Sequence, residues 1–236
     1  MASPAVLGVT SGVATNIRVS KNADWMHDDM DVHRVRLSQS AISFLRNPHW
    51  GWGVSVTWTS AATIPVLGEL TAEWLDGRLP SHPLYHGRPD PETVELIPVL
   101  SALNRRGLVT TGSQPGLRHE QTEQRAFLDG FASPELAEEL FRVCFEARLR
   151  VLVAYPGEND DARFVVTRES EKAVTWSGCL PSEELALFRP YVSEAAMTEL
   201  AGACRFVVVD RVWGPSATLW ESLQEWLDAT RTVAPG

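Results

Sequence analysis

Hydrophobic spacing along the chain becomes regular near residue 65. Leu67, Leu70, Trp74 and Leu75 fall on one face at helical spacing, and Gly77 supplies a stop. A proline-rich connection follows over residues 79–91. The next helix has a defined start. Asp90 can cap, Pro91 suits the first turn, and Glu92 sits near the positive end of the helix dipole. Leu96, Val99, Leu100 and Leu103 form its apolar stripe, and Gly107 ends it. Pro98 lies inside that stripe. An interior proline costs a helix ~3 kcal/mol, so a kink or a restart is expected there.

Leu108-Val-Thr-Thr111 reads as a short strand, and Gly112-Ser-Gln-Pro-Gly116 as a turn-rich loop. Ser133-Pro-Glu135 opens a helix with Leu136, Leu140, Val143 and Ala147 on one face. Residues 150–155 form a strand. Phe164-Val-Val-Thr167 and Ala173-Val-Thr-Trp176 form two more, paired as a hairpin. Ser193 caps a helix carrying Met197 and Leu200, and Phe206-Val-Val-Val209 is a buried strand. The last helix, residues 215–230, carries Leu219, Trp220, Leu223, Trp226 and Leu227. Strands and helices alternate, which predicts an α/β fold with a mixed β-sheet core flanked by helices. Residues 1–60 lack this periodicity and read as an N-terminal arm or subdomain, with residues 61–236 as the α/β domain.

Charge and composition narrow the function. The formal net charge is −9, so the basic footprint of a nucleic-acid binder is missing. The same balance disfavours an anionic membrane surface, and no apolar run approaches the ~20 residues that span a bilayer. The N-terminus lacks a basic region ahead of its weak apolar stretch, so no signal peptide is read. Cys144, Cys179 and Cys204 are widely spaced without a C-x-x-C pair, which fits free thiols in a reducing cytoplasm.

Candidate chemistry is sparse. His27, Asp28, Asp29, Asp31 and His33 could offer imidazole and carboxylate to a divalent metal, but they share one stretch and read better as an acidic solvated loop; no metal is expected. His119-Glu120 lacks the second histidine of a zincin helix. His82 and His86 lie on the proline-rich connection. Each reads as a solvent-exposed loop histidine, or as an acid–base group if the chain is an enzyme. Gly-x-Ser-x-Gly, Walker A and Gly-x-Gly-x-x-Gly elements are absent.

Four segments carry a resemblance. They are residues 100–115, which hold Asn-Arg-Arg-Gly-Leu-Val-Thr-Thr-Gly-Ser-Gln-Pro; Gln124-Arg-Ala-Phe-Leu-Asp-Gly-Phe131 with the helix after it; Ala173-Val-Thr-Trp176 with Pro181 beyond; and Phe206-Val-Val-Val-Asp210 leading into the last helix. In this order and at similar spacings they resemble the C-terminal S-adenosylmethionine-binding regulatory domain of methylenetetrahydrofolate reductase, here without the catalytic barrel. They also resemble uncharacterised actinobacterial proteins with the same helix, strand and Ser-Gln-Pro pattern. The likeness covers about residues 65–230.

The resemblance implies a site for S-adenosylmethionine or S-adenosylhomocysteine. The family's ligand positions fall on Glu92, Thr93, Thr110, Ser113 and Thr175, and Trp176 offers an aromatic face to a sulfonium. A further family threonine, expected after Pro181, has no counterpart; Phe188 is nearby instead. The family's loop after Ser-Gln-Pro is shortened here to Gly116-Leu-Arg-His-Glu120. The first functional reading is a sensor or regulatory module, compatible with a partner enzyme and with a homo-oligomer. The alternative is an enzyme on the same scaffold that uses S-adenosylmethionine or a related metabolite. The N-terminal arm, with Trp50 and Trp52, would then complete its active site. A third reading is a structural or interaction protein.

Overall fold

A computed structural model of the chain describes residues 56–85, 87–158, 162–178 and 181–231. The elements run α1 (Val56–Ser60), α2 (Ile64–Leu75), a 3₁₀ helix (Pro91–Leu96), α3 (Ile97–Arg105), β1 (Val109–His119), β2 (Thr122–Ala132), α4 (Pro134–Glu146), β3 (Arg150–Ala154), β4 (Arg163–Glu169), β5 (Lys172–Gly178), α5 (Pro181–Phe188), α6 (Glu194–Ala201), β6 (Cys204–Val209) and α7 (Thr218–Arg231). The sheet runs β3-β6-β2-β4-β5, and β1 pairs with the other side of β2.

Strand β2 is the hub. Along one side it pairs with β1 from Val109↔Phe131 to His119↔Thr122. Along the other it meets β6 at residues 127–132 and β4 at residues 122–124. Every described pairing is antiparallel, which corrects the mixed sheet read from the alternation of elements. The reason is topological. Strands β1–β2 and β4–β5 are hairpins, and β6 enters between β2 and β3 antiparallel to both, so no helix connects two neighbouring parallel strands.

Local chemistry explains most boundaries. Pro98 does not kink a continuous helix. A 3₁₀ helix ends at Leu96 and an α-helix restarts at Ile97, which puts Pro98 in the first turn where its missing N–H costs little. Ser133 and Ser193 cap α4 and α6, accepting from Leu136 N at 3.3 Å and from Ala196 N at 3.0 Å. The loop expected over residues 112–116 is instead strand, because β1 continues to His119. Pro115 is tolerated there because β1 is an edge strand, and a register shift between Thr110 and Gly112 absorbs the irregularity.

The alternation of β2 and β6 sorts the core onto two faces. Ala126, Leu128, Ala132, Phe206 and Val208 face Leu100, Leu103, Leu140, Leu219, Leu223 and Trp226 of the helices. On the opposite face Phe131 packs with Trp58, Leu67, Phe188 and Leu200, while Val207 and Val209 pack with Phe164 and Val166. Each of the larger aliphatic and aromatic side chains contributes roughly 1.5–3 kcal/mol through burial. The thiols of Cys144 and Cys204 are free and buried, and burial pushes them up to about 12 and about 11. Among the described residues no helix is long and apolar enough to cross a membrane.

His82 corrects the expectation of an exposed loop histidine. It is only 2% exposed, ringed by Trp58, Trp74, Tyr85 and Phe188. Its Nδ1 accepts from Leu84 N at 3.1 Å, so the ring proton sits on Nε2, which faces Thr71 Oγ1 at 3.4 Å. Thr71 Oγ1 donates onward to Leu67 O. A neutral imidazole of this tautomer satisfies the site, and burial lowers its pKa from 6.5 to about 3. An acid–base role at neutral pH is therefore unsupported. Between those two values the unfolded chain holds a proton that the folded chain excludes. Stability is fully present above pH 6.5 and declines as the pH falls towards 3. Urea unfolding at pH 7 and pH 5 is expected to differ by about 2 kcal/mol from this group. A His82→Phe variant should lose that difference; an unchanged difference would show that the acid sensitivity arises elsewhere.

Candidate functional site

The most polar place in the interior lies on the middle of β2. Asp129 is 8% exposed and belongs to the face that carries Phe127 and Phe131. Its Oδ1 accepts from Thr111 Oγ1 at 2.9 Å, and its Oδ2 accepts from Ser177 Oγ at 2.6 Å. Arg205 Nη2 lies 3.4 Å from the same Oδ2. Arg205 is 1% exposed. Its Nη1 donates to Gly130 O at 3.0 Å and Phe206 O at 2.7 Å, and its guanidinium lies 5.4 Å from the centre of the Phe131 ring. A buried guanidinium and carboxylate held in this way form a paired unit, in which removing either partner strands the other.

The backbone makes room for this unit. A Cβ at Gly112 would lie 2.7 Å from Asp129 Oδ1, so a larger residue there would push the carboxylate from its present place beside β1. A Cβ at Gly130 would strike Val109 O, so glycine also allows β1 to lie flat against β2 there. Thr111 is the residue left over by the shift in register, which turns its hydroxyl onto Asp129. Its carbonyl accepts from the Tyr85 hydroxyl, and Tyr85 stacks on Trp74 at 5.4 Å.

The six residues expected to hold ligand fall into two groups. Glu92 is exposed and Thr93 half-buried on the 3₁₀ helix, which packs against β1. Thr110 is buried. Its N–H donates to Asn104 Oδ1 at 3.0 Å and its hydroxyl accepts from Asn104 Nδ2 at 2.8 Å, so the Asn-x-x-Gly turn locks the entry of β1. Ser113 is half-buried opposite Leu128 and shares that residue's face of the sheet. Thr175 and Trp176 are half-buried on β5, opposite Thr167 and Val165. Strand β5 is tied to β1 through Asp129. Phe188, which stands near the missing threonine, is core packing against Phe131 and His82.

Several sequence candidates lie outside the described residues: His27, Asp28, Asp29, Asp31, His33, Trp50, Trp52, His86 and Cys179. Sequence reasoning also missed Thr111, Asp129, Ser177 and Arg205. A signal existed for two of them. Asp129 interrupts the apolar run Ala126-Phe-Leu-Asp-Gly-Phe131, and Arg205 interrupts Cys204-Arg-Phe-Val-Val-Val209. Opposite charges inside two buried strands call for a partner, and each strand supplies it.

A family model described as a domain of unknown function (DUF6919) matches residues 54–230. The chain belongs to that family. No curated protein sequence matches it.

The paired unit makes a direct prediction. Arg205→Met leaves the Asp129 carboxylate buried without its cation and is expected to cost about 3–5 kcal/mol in urea unfolding. Asp129→Leu combined with Arg205→Met removes both charges and should recover most of that loss. No recovery in the double variant would mean that the two groups are not energetically coupled.

Proposed function

We propose that this member of the DUF6919 family binds S-adenosylmethionine or S-adenosylhomocysteine as a sensor or regulatory module. One observation supports the reading above the others. The four segments that carry the resemblance to the methylenetetrahydrofolate reductase regulatory domain converge on Asp129, each through one of its own residues or an immediate neighbour. Thr111 belongs to the first, Asp129 to the second, Ser177 directly follows the third and Arg205 directly precedes the fourth. Segments far apart in sequence that match one pattern, and that lie at or beside one buried carboxylate, favour a common architecture.

Within that architecture the ligand would lie along β1. Glu92 would accept from ribose hydroxyls, and the hydroxyls of Thr93, Thr110 and Ser113 would offer further polar contacts. Thr175 and Trp176 would close the site from β5, the indole facing the sulfonium for ~0.5–2 kcal/mol. His82, one of the two histidines on the connection that leads to Glu92, is buried and neutral, which removes it from proton transfer and favours binding over chemistry. A cytoplasmic location fits the free, buried thiols of Cys144 and Cys204.

Titration calorimetry with each S-adenosyl compound tests the reading. Saturable heat is expected, with affinity weakened about tenfold or more by Glu92→Ala, in line with the loss of hydrogen bonds to a charged group. Glu92 is exposed, so the variant keeps its fold. No heat with either compound, or wild-type affinity in the variant, rejects the site. Mass spectrometry of the incubated ligand should show it unchanged; turnover would move the assignment to an enzyme.

A further inference from the structure

We infer that Asp129 is a positioning residue that sets where β1 and β5 stand relative to each other, and that ligand affinity depends on it; the second half of this inference rests on the binding reading above. β1 loses its register with β2 between Thr110 and Gly112, inside the segment that carries Thr110 and Ser113. β5 loses its register with β4 on both sides of Thr167, the residue opposite Thr175. Regular ladder bonds therefore leave both segments loosely specified at the points where their side chains would have to be aimed.

One carboxylate supplies what the ladders omit. Thr111 sits within the irregular step of β1 and donates to Asp129 Oδ1 at 2.9 Å. Ser177 lies two residues beyond Thr175 and donates to Asp129 Oδ2 at 2.6 Å. The two oxygens take one strand each. Arg205, anchored by Gly130 O and Phe206 O, holds the carboxylate on the rigid centre of β2 and β6. Gly112 brings β1 close enough for the bond to form, since a Cβ there would reach 2.7 Å from Oδ1. A carboxylate accepts at both oxygens, whereas an amide offers only one.

The variant Thr111→Val/Ser177→Ala cuts both links and keeps the Asp129–Arg205 pair. Hydrogen exchange of the ligand-free protein reads positioning directly. Amides of residues 111–113 and 173–177 should exchange about tenfold faster or more than in the wild type, with that of Thr110, held by Asn104, and the rest of β2 and β6 unchanged. Calorimetry with S-adenosylhomocysteine should show affinity weakened about tenfold. Ser193→Ala, which removes a helix cap and the Ser193 bond to Ala61 O, controls for general destabilisation and should leave both readouts at wild-type values. Unchanged exchange in both segments overturns the inference whether or not ligand binds. Faster exchange with wild-type affinity overturns its second half. A wild-type protein that gives no heat, but whose variant shows the local change in exchange, rejects the binding reading and the affinity claim while leaving the positioning intact.

Discussion

The pairing of Asp129 with Arg205 is the constraint around which the sheet is arranged. Two charges that are 8% and 1% exposed must satisfy each other and their remaining hydrogen-bonding capacity inside the protein. Arg205 donates to the main-chain carbonyls of Gly130 and Phe206, and Asp129 accepts from two hydroxyls brought in by strands β1 and β5. That requirement explains features which otherwise look unrelated. Glycine stands at 112, β1 is irregular at Thr111, and the β4–β5 hairpin reaches across to place Ser177 over β2.

The helices serve this arrangement without entering it. One face of β2 and β6 is sealed by α3, α4 and α7 through ordinary apolar packing, with Leu128, Phe206 and Val208 at its centre. The other face is shared between an aromatic cluster around His82 and Phe131, a small aliphatic cluster around Val207, and the polar unit between them. Burial drives the assembly, while the polar unit selects which strands lie beside it.

Elements with strong local chemistry were legible in the sequence. The serine caps at 133 and 193, the restart at Pro98, the β4–β5 hairpin and the final helix all follow from residue spacing and cap chemistry. What failed depended on tertiary pairing. Glycine and proline over residues 112–116 read as a loop because an edge strand's tolerance of proline cannot be seen without its neighbours. The direction of pairing was also misjudged, because β6 pairs with strands distant in sequence. His82 read as exposed because its enclosing rings come from positions 58, 74, 85 and 188. Of the site, the resemblance points to Glu92, Thr93, Thr110, Ser113, Thr175 and Trp176. Asp129, which joins their strands, was passed over because an isolated carboxylate in a strand carries no motif.

The account's central claim is that the strands gathered at Asp129 form one ligand site. A crystal structure of the full chain with S-adenosylhomocysteine bound tests it most directly. The account predicts ligand density bounded by Glu92 and Thr93 on one side, by residues 110–113 along its length, and by Thr175 with Trp176 across from them. Ligand bound away from β1, or contacting β1 while leaving β5 untouched, would contradict it.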